Sequence, residues 1–349
     1  MTAALPPARA LHSVADLVAE GLVPAADAPV LETVAQAFRV RVTPQMRDAA
    51  RASDPVARQF VPSAQELTIS PNDLADPIGD DAHAPVPGLT HRYPDRVILH
   101  VTKTCEVYCR FCFRRETVGE TGHLPQAQLD AALDYIARTP AIWEVILTGG
   151  DPLVLSARRI AHLMARLNAI PHVGVVRLHT RVPVVVPDRV TDALIAALRL
   201  HPAVWVVIHT NHADELTAAA RAALARLADA GVPLLSQSVL LRGVNDSVQA
   251  LETLFRALVR LRVKPYYLHH CDLARGAGHF RTTIAEGQAL MAALRGRLSG
   301  TCLPTYVLDL PGGFGKVPVG PDYLRHDGER WLVTDLNGGI HGYSDPAES

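Results

Sequence analysis

Six short runs rich in branched apolar residues recur through the middle of the chain: Arg96-Val-Ile-Leu-His-Val-Thr102, Glu144-Val-Ile-Leu-Thr148, Val173 to Thr180, Ala203 to Thr210, Pro233 to Leu241 and Val263 to His270. Each has the length and composition of a buried strand. Between them apolar residues return at helical spacing. Val190, Leu194, Ile195 and Leu198 do so within Asp188 to Leu200, and a second such pattern spans Asp214 to Ala230, closed by Gly231. Strand and helix in alternation predict a parallel sheet.

Polar residues gather where these strands end. The first is followed by cysteines, the second by Thr148-Gly149-Gly150-Asp151, and the third ends in His179-Thr180-Arg181. The fourth ends in His209-Thr210-Asn211-His212, the fifth carries Gln237, and the sixth gives His269-His270-Cys271-Asp272. In β/α barrels the reacting groups sit on loops leaving the carboxyl ends of the strands. The pattern therefore predicts an α/β fold built on an incomplete, six-stranded barrel, with a doubly wound open sheet as the alternative that shares the alternation.

Three regions are expected. Residues 1 to about 85 form an N-terminal extension with helical patterns at Val14 to Glu20 and Val30 to Phe38, ending in a passage rich in proline and aspartate from Asp76 to Gly88. Residues 86 to 300 form the barrel. Residues 301 to 349 form a C-terminal segment that holds a glycine-rich loop and a hairpin across Trp331-Leu-Val-Thr334 and Asn337-Gly-Gly-Ile-His341.

Composition narrows the function. A chain of 349 residues with 48% hydrophobic and 20% charged residues can bury a large core, and its net charge of −1 offers no basic patch for nucleic acid. No apolar stretch approaches the roughly 20 residues that span a bilayer. Five cysteines without a secretory signal point to reduced thiols and a cytoplasmic location.

Three of those cysteines stand as Cys105-x-x-x-Cys109-x-x-Cys112, directly after the first strand. Three thiolates with no fourth cysteine nearby suggest a metal centre with one position open. A structural zinc completed by one of the 16 histidines is the alternative, and a disulfide the less favoured one. The loop Asp309-Leu-Pro-Gly-Gly-Phe-Gly-Lys316 does not fit a phosphate-binding P-loop, because Leu310 stands where that pattern needs glycine and Val317 where it needs serine or threonine. What remains is a lysine among glycines, which on its own reads as a solvated surface side chain or as one whose flanking glycines let a bulky ring approach the backbone.

A C-x-x-x-C-x-x-C run behind a strand is the cluster motif of radical S-adenosylmethionine enzymes, and the chain resembles the lysine 2,3-aminomutase family among them. The resemblance covers nearly all of residues 76 to 320. It is carried by Pro87-Gly-Leu-Thr-His-Arg-Tyr-Pro-Asp-Arg96, the cysteine run through Arg115, Leu147-Thr-Gly-Gly-Asp-Pro152 and Arg181-Val-Pro-Val184. Gln237-Ser-Val-Leu-Leu-Arg-Gly-Val-Asn-Asp246, Cys271-Asp-Leu273, His279-Phe-Arg-Thr282 and the Lys316 loop continue it in order.

The resemblance implies a partial (β/α)6 radical S-adenosylmethionine barrel and a [4Fe–4S] cluster on Cys105, Cys109 and Cys112, with S-adenosylmethionine on the fourth iron. It implies that Thr148, Gly149, Gly150 and Asp151 lie beside the methionine moiety, and that His209 and Gln237 lie near the adenosyl portion. Lys316 would carry pyridoxal phosphate, with Arg92, Tyr93 and Arg96 around its phosphate, a task suited to the planar arginine fork. Arg114 would grip the substrate's α-carboxylate, and Asp272 and Asp309 would receive a terminal ammonium. Two acids facing one cation read L-lysine, whose 2-amino group would move to carbon 3 to give β-lysine. An acidic substrate such as glutamate would leave those acids facing like charge, and a buried charge deprived of its partner costs about 3–5 kcal/mol.

The chain also departs from the family pattern. Longer members complete a zinc site with extra cysteines, one of them just after the Arg-Gly-Val-Asn-Asp run, where Ser247 stands here. No zinc site and no swapped tetramer are therefore expected, and a homodimer is the simplest assembly. Phe314 interrupts a loop that is often all glycine. An electron donor such as flavodoxin or ferredoxin is implied. A 2,3-aminomutase for ornithine or arginine, or a non-catalytic iron–sulfur or zinc module, are the competing readings.

Overall fold

The computed structural model describes residues 9–119, 122–328 and 330–346. Four helices come first: α1 (Val14–Ala19), α2 (Ala28–Ala37), α3 (Pro44–Ala52) and α4 (Asp54–Phe60). Their starts are written locally. Ser13 and Asp16 form a capping box on α1, Thr43 caps α3, and proline stands in the first turn of α2, α3 and α4.

A nine-stranded sheet follows, its strands in chain order. β1 (Leu89–Tyr93) and β2 (Arg96–Thr102) form a hairpin, and α5 (Gln126–Ala137) leads to β3 (Glu144–Gly149). Then come α6 (Ala157–Asn168), β4 (Val175–Thr180), the short α7 (Val182–Val185), α8 (Asp192–Leu198), β5 (Val204–His209), α9 (Ala218–Asp229) and β6 (Leu234–Leu240). The sheet ends with α10 (Val248–Arg260), β7 (Val263–His270), α11 (Ile284–Arg295), β8 (Thr305–Leu310) and β9 (Gly315–Pro318).

Strands β2 to β8 are parallel, and β1 and β9 run antiparallel at the two edges. The six strands expected from the sequence are β2 to β7, with ends displaced by two residues at most. β8 is a seventh parallel strand that the apolar pattern did not mark, because Asp309 interrupts its run. The backbone N–H of Lys316 in β9 donates to Tyr93 Oη in β1 at 2.8 Å, so one bond draws the two edges of the crescent together and the barrel is nearly closed.

Alternation along each strand divides the side chains between two environments. Val145 and Leu147, Val176 and Leu178, and Val206 and Ile208 are buried, and they join one continuous apolar core that also takes in Leu11 to Phe60 of the N-terminal helices. Their neighbours Glu144, Ile146 and Thr148, Val175, Arg177 and His179, and Trp205 and His209 line the lumen instead, as do Leu235, Gln237 and Val239 of β6. The lumen is thus the polar side of the sheet. Beyond it, β10 (Leu324–His326), β11 (Trp331–Thr334) and β12 (Ile340–Tyr343) form a separate antiparallel sheet, in which β11 and β12 make the expected hairpin.

One wholly buried carboxylate ties the N-terminal region to the cysteine loop. Glu66 accepts from Arg110 Nη2 at 2.6 Å and Nε at 3.0 Å, and also pairs with Arg115, whose guanidinium lies 3.6 Å from the centre of the Phe38 ring. Burial opposes ionisation of Glu66, but Arg110 and Arg115 outweigh it and hold its pKa below the usual value. A carboxylate with a lowered folded-state pKa stabilises at neutral pH and loses that contribution as pH falls through the lowered pKa. Glu66→Gln leaves two buried guanidinium groups without a counter-charge and is expected to cost about 3–5 kcal/mol at neutral pH, read from thermal or urea unfolding of the cofactor-free chain.

Candidate active site

The lumen holds a cavity of about 700 Å³. Cys105, Cys109 and Cys112 line it together with Thr148, Gly149, Gly150, Asp151, His209 and Gln237, and so do Arg92, Tyr93, Arg96, Arg114, Asp272, Asp309 and Lys316. Every residue expected at the site from the sequence therefore borders one space.

The cysteine loop is seated by backbone contacts that only small residues permit. Gly150 donates its N–H to Thr102 O at 2.5 Å and Asp151 donates to Thr104 O at 2.9 Å. A Cβ on Gly150 would overlap the Thr104 carbonyl, so glycine is needed there to bring the strand end of β3 against the residue before Cys105. The Asp151 carboxylate is fully engaged by the protein. It accepts from Thr180 Oγ1 and Arg181 N at 2.6 Å each, from Leu153 N at 3.0 Å and from Val182 N at 3.2 Å. Those bonds fix the end of β4 and so the placement of Arg181.

Arg181 is the residue at this site whose role the sequence did not announce. Its Nη1 lies 2.9 Å from Cys109 Sγ, and its Nη2 is held by Glu215 Oε2 at 2.5 Å and Gln59 Oε1 at 2.6 Å. Glu215 and Gln59 come from positions distant in sequence, which is why no motif revealed them. Burial pushes all three thiols up, Cys112 to about 11 and Cys109 even with Arg181 beside it, so that in the absence of a metal they stay protonated. Among the described residues no three His, Cys, Asp or Glu side chains converge on one point as a single metal ion requires. A four-iron cluster takes each thiolate on a separate iron, and the donor set of three soft ligands fits it.

At the other wall, Lys316 Nζ lies 2.6 Å from Asp309 Oδ1 and 2.5 Å from Asp309 Oδ2, its register partner in β8. His269 Nδ1 stands 3.1 Å from Asp309 Oδ2 and 3.4 Å from Lys316 Nζ. Although burial alone would raise the pKa of Asp309, bonding to His269 and the charge of Lys316 bring it well below the usual carboxylate range. Asp272 differs. No hydrogen-bond donor meets its carboxylate among the described residues, and burial, with repulsion from Asp309, lifts its pKa to about 7. The two acids expected to share a substrate cation are thus unequal in this structure: Asp309 already holds Lys316, and Asp272 is open.

Buried histidines fill the lumen between these walls. His179, His209 and His269 are each held below the ordinary imidazole pKa, first by burial, and each leaves Nε2 without a hydrogen-bond partner. His209 lies against Phe111 with ring centres 5.6 Å apart. Neutral imidazoles avoid placing further charge beside Lys316 and Arg114.

Toward the β1–β2 hairpin, Arg96 lies 3.8 Å over the Tyr93 ring and pairs with Asp95 at 2.6 Å. Arg92 Nη2 donates to Ile78 O at 2.5 Å, while Arg92 Nε and Arg177 Nε are buried without an acceptor. Two unsatisfied guanidinium N–H groups on the cavity wall fit an anionic group such as a phosphate, and Lys316 close by fits an aldehyde cofactor that carries one. Arg114 Nε and Nη2 both reach Asp80 Oδ2, at 2.8 and 2.7 Å.

Residues 99–254 match the radical SAM superfamily, and residues 291–349 match the lysine-2,3-aminomutase family description. The chain is 45% identical over 323 residues to L-lysine 2,3-aminomutase of Clostridium subterminale, covering 90% of this chain and 78% of that one. It is 44% identical over 314 residues to L-lysine 2,3-aminomutase of Acetoanaerobium sticklandii, covering 88% and 76%. Glutamate 2,3-aminomutase of Clostridioides difficile is 37% identical over 307 residues, covering 87% and 72%.

The engagement of Asp151 and the openness of Gln237 give opposite expectations for stability. Asp151→Ala strips four donors of their acceptor and is expected to destabilise the cofactor-free chain by about 3 kcal/mol or more. Gln237→Ala, whose side chain meets no partner among the described residues, is expected to cost less than about 1 kcal/mol in the same unfolding assay.

Proposed function

The chain belongs to the lysine 2,3-aminomutase family of radical S-adenosylmethionine enzymes, and on that premise we propose that it moves the 2-amino group of L-lysine to carbon 3, giving β-lysine. Membership makes it an aminomutase, an isomerase acting on a small amino acid with a [4Fe–4S] cluster and S-adenosylmethionine. The choice of lysine and the use of pyridoxal phosphate belong to the proposal. One observation carries it: a single cavity is bordered by three thiols, by Lys316, by the arginine Arg114 and by the open acid Asp272.

When bound, the cluster with S-adenosylmethionine supplies a hydrogen-abstracting radical, and pyridoxal phosphate supplies the carbonyl carbon that holds the migrating nitrogen. The protein's share is position and charge. Arg114 receives the α-carboxylate, and Asp272, with Asp309 once Lys316 is engaged elsewhere, receives the ammonium at the far end. Arg92, Tyr93 and Arg96 would anchor the cofactor's phosphate, and Lys316 would hold the cofactor covalently. Cys105, Cys109 and Cys112 would hold the cluster. Thr148, Gly149, Gly150, His209 and Gln237 shape the wall between cluster and substrate, while Asp151 acts from behind by fixing β4. The lumen walls exclude water from the reacting carbons, and holding reactants in line accounts for much of the acceleration such a site can give.

A glutamate side chain would face Asp272 and Asp309 with like charge, so lysine is favoured over the acidic substrate of the Clostridioides difficile relative. Among the described residues no helix is long and apolar enough to cross a membrane. A cytoplasmic setting with flavodoxin or ferredoxin as electron donor suits the reaction.

The test is product analysis after anaerobic reconstitution with reductant, using labelled lysine, ornithine, arginine and glutamate in parallel. β-Lysine as the main product supports the proposal; turnover of glutamate in preference to lysine overturns it. Lys316→Ala is expected to abolish the visible absorbance of bound pyridoxal phosphate while four irons per chain remain, and loss of both together would make the lysine structural. The pH dependence has a definite sign. Asp272 must be ionised to hold a cation and titrates at about 7, so KM for lysine should fall about tenfold between roughly pH 6 and pH 8, and Asp272→Asn should flatten that slope.

A further inference from the structure

We propose that Asp80 is a positioning residue that fixes the Arg114 guanidinium for the substrate carboxylate and couples that clamp to the Lys316 loop. The inference rests on the reading of Arg114 given above and extends it to a residue outside the motifs. The Asp80 side chain is only 14% exposed, and one of its oxygens takes both Arg114 Nε and Arg114 Nη2, at 2.8 and 2.7 Å. Its other oxygen faces Arg92 Nη2 at 3.4 Å. One carboxylate thus stands between the arginine that would meet the substrate and an arginine that would meet the cofactor's phosphate. A guanidinium gripped along one edge keeps its remaining N–H groups pointed in one direction.

The segment that carries Asp80 is itself pinned. Asp76 accepts from the backbone N–H groups of Asp80 and Asp81 at 3.0 Å each, closing the turn. Gly79 has φ +67°, and a Cβ there would lie 2.5 Å from Gly313 N, so the turn packs directly on the glycine loop ahead of Lys316. His83 Nε2 meets Gly313 O at 3.1 Å. The distance from Lys316 to Arg114 is therefore set through Asp80 rather than through the flexible side chains alone. Charge agrees with geometry. Burial works against ionisation of Asp80, yet Arg114, His100 and Arg92 hold its pKa below the usual value, so it stays a carboxylate and offsets one of the two arginine charges.

The experiment pairs kinetics with chemical modification on the full chain. In Asp80→Asn, reconstituted with cluster and pyridoxal phosphate, kcat for lysine should fall about tenfold to a hundredfold, because a misdirected carboxylate leaves the reacting carbon out of line. KM should not rise, since Arg114 keeps its charge and loses a competitor for it. Iron content and cofactor absorbance should match the parent. Asp80→Glu, which restores the charge one methylene out of place, should recover part of kcat. In the cofactor-free chain, phenylglyoxal labelling of Arg114, read by peptide mass spectrometry, should be about tenfold faster in Asp80→Asn than in the parent.

An unchanged kcat, or a raised KM with kcat preserved, overturns the proposal, and so does an unchanged labelling rate. Loss of iron, absorbance and folding together in both variants would also overturn it, by making Asp80 merely structural. If the parent turned over no amino acid, the proposed function would fail while the labelling rate still decided the role of Asp80.

Discussion

The pairing of Glu66 with Arg110 and Arg115 is the contact on which the arrangement of this site depends. Both arginines lie in the cysteine loop, which has little regular secondary structure and must enter the lumen carrying three thiols. A loop with so few backbone bonds of its own is held from outside, here by a carboxylate with no exposure to solvent. The same device recurs around it. Glu215 holds Arg181 against Cys109, Asp151 holds the end of β4, and Asp80 holds Arg114. Each guanidinium is fixed by an acid from another part of the chain, so the loop's position is shared among elements far apart in sequence. Buried ion pairs add little net stability compared with apolar packing, but breaking one is costly, and that asymmetry suits a site that needs one geometry more than it needs strength.

The alternating strands explain how one sheet can be both core and reaction vessel. Alternate residues of β3, β4 and β5, such as Val145 and Leu147, Val176 and Leu178, and Val206 and Ile208, pack into the continuous apolar layer, and Ile146, Arg177, His179, Trp205 and His209 between them face the cavity. Arg177 and Glu144 pair across neighbouring strands at 3.0 Å, and the buried histidines are kept neutral. Among the described residues the lumen carries several of its charges in pairs, while Arg92 and Arg114 share the single carboxylate of Asp80 and Asp272 has no hydrogen-bond donor. An acid left without a donor beside a filled one distinguishes a place waiting for a cation from a place already occupied by Lys316.

Much of this was legible in the sequence, for identifiable reasons. Strands β2 to β7 are short apolar runs that stand alone in their surroundings, and the cysteine spacing and the Lys316 loop are local patterns. β8 was missed because Asp309 breaks its apolar run, and β1 and β9 because a hairpin edge has no strong pattern of its own. The partners of the site were hidden for another reason. Glu66 and Arg110, or Gln59 and Arg181, lie 44 and 122 positions apart, and nothing in composition or periodicity links such pairs. Asp309 shows the limit from the other side: its place in the cavity was expected, but its bond to Lys316 follows from the register of β8 on β9, which only folding reveals.

The thiol loop matters because it would leave one iron of the cluster free for S-adenosylmethionine, next to the cavity that holds Lys316. Electron–nuclear double resonance on the reduced, reconstituted protein tests this most directly, with S-adenosylmethionine isotopically labelled in its amino and carboxylate groups. Coupling of the cluster to both labels is the predicted result. Coupling to a fourth protein side chain, with none to the labels, would contradict it.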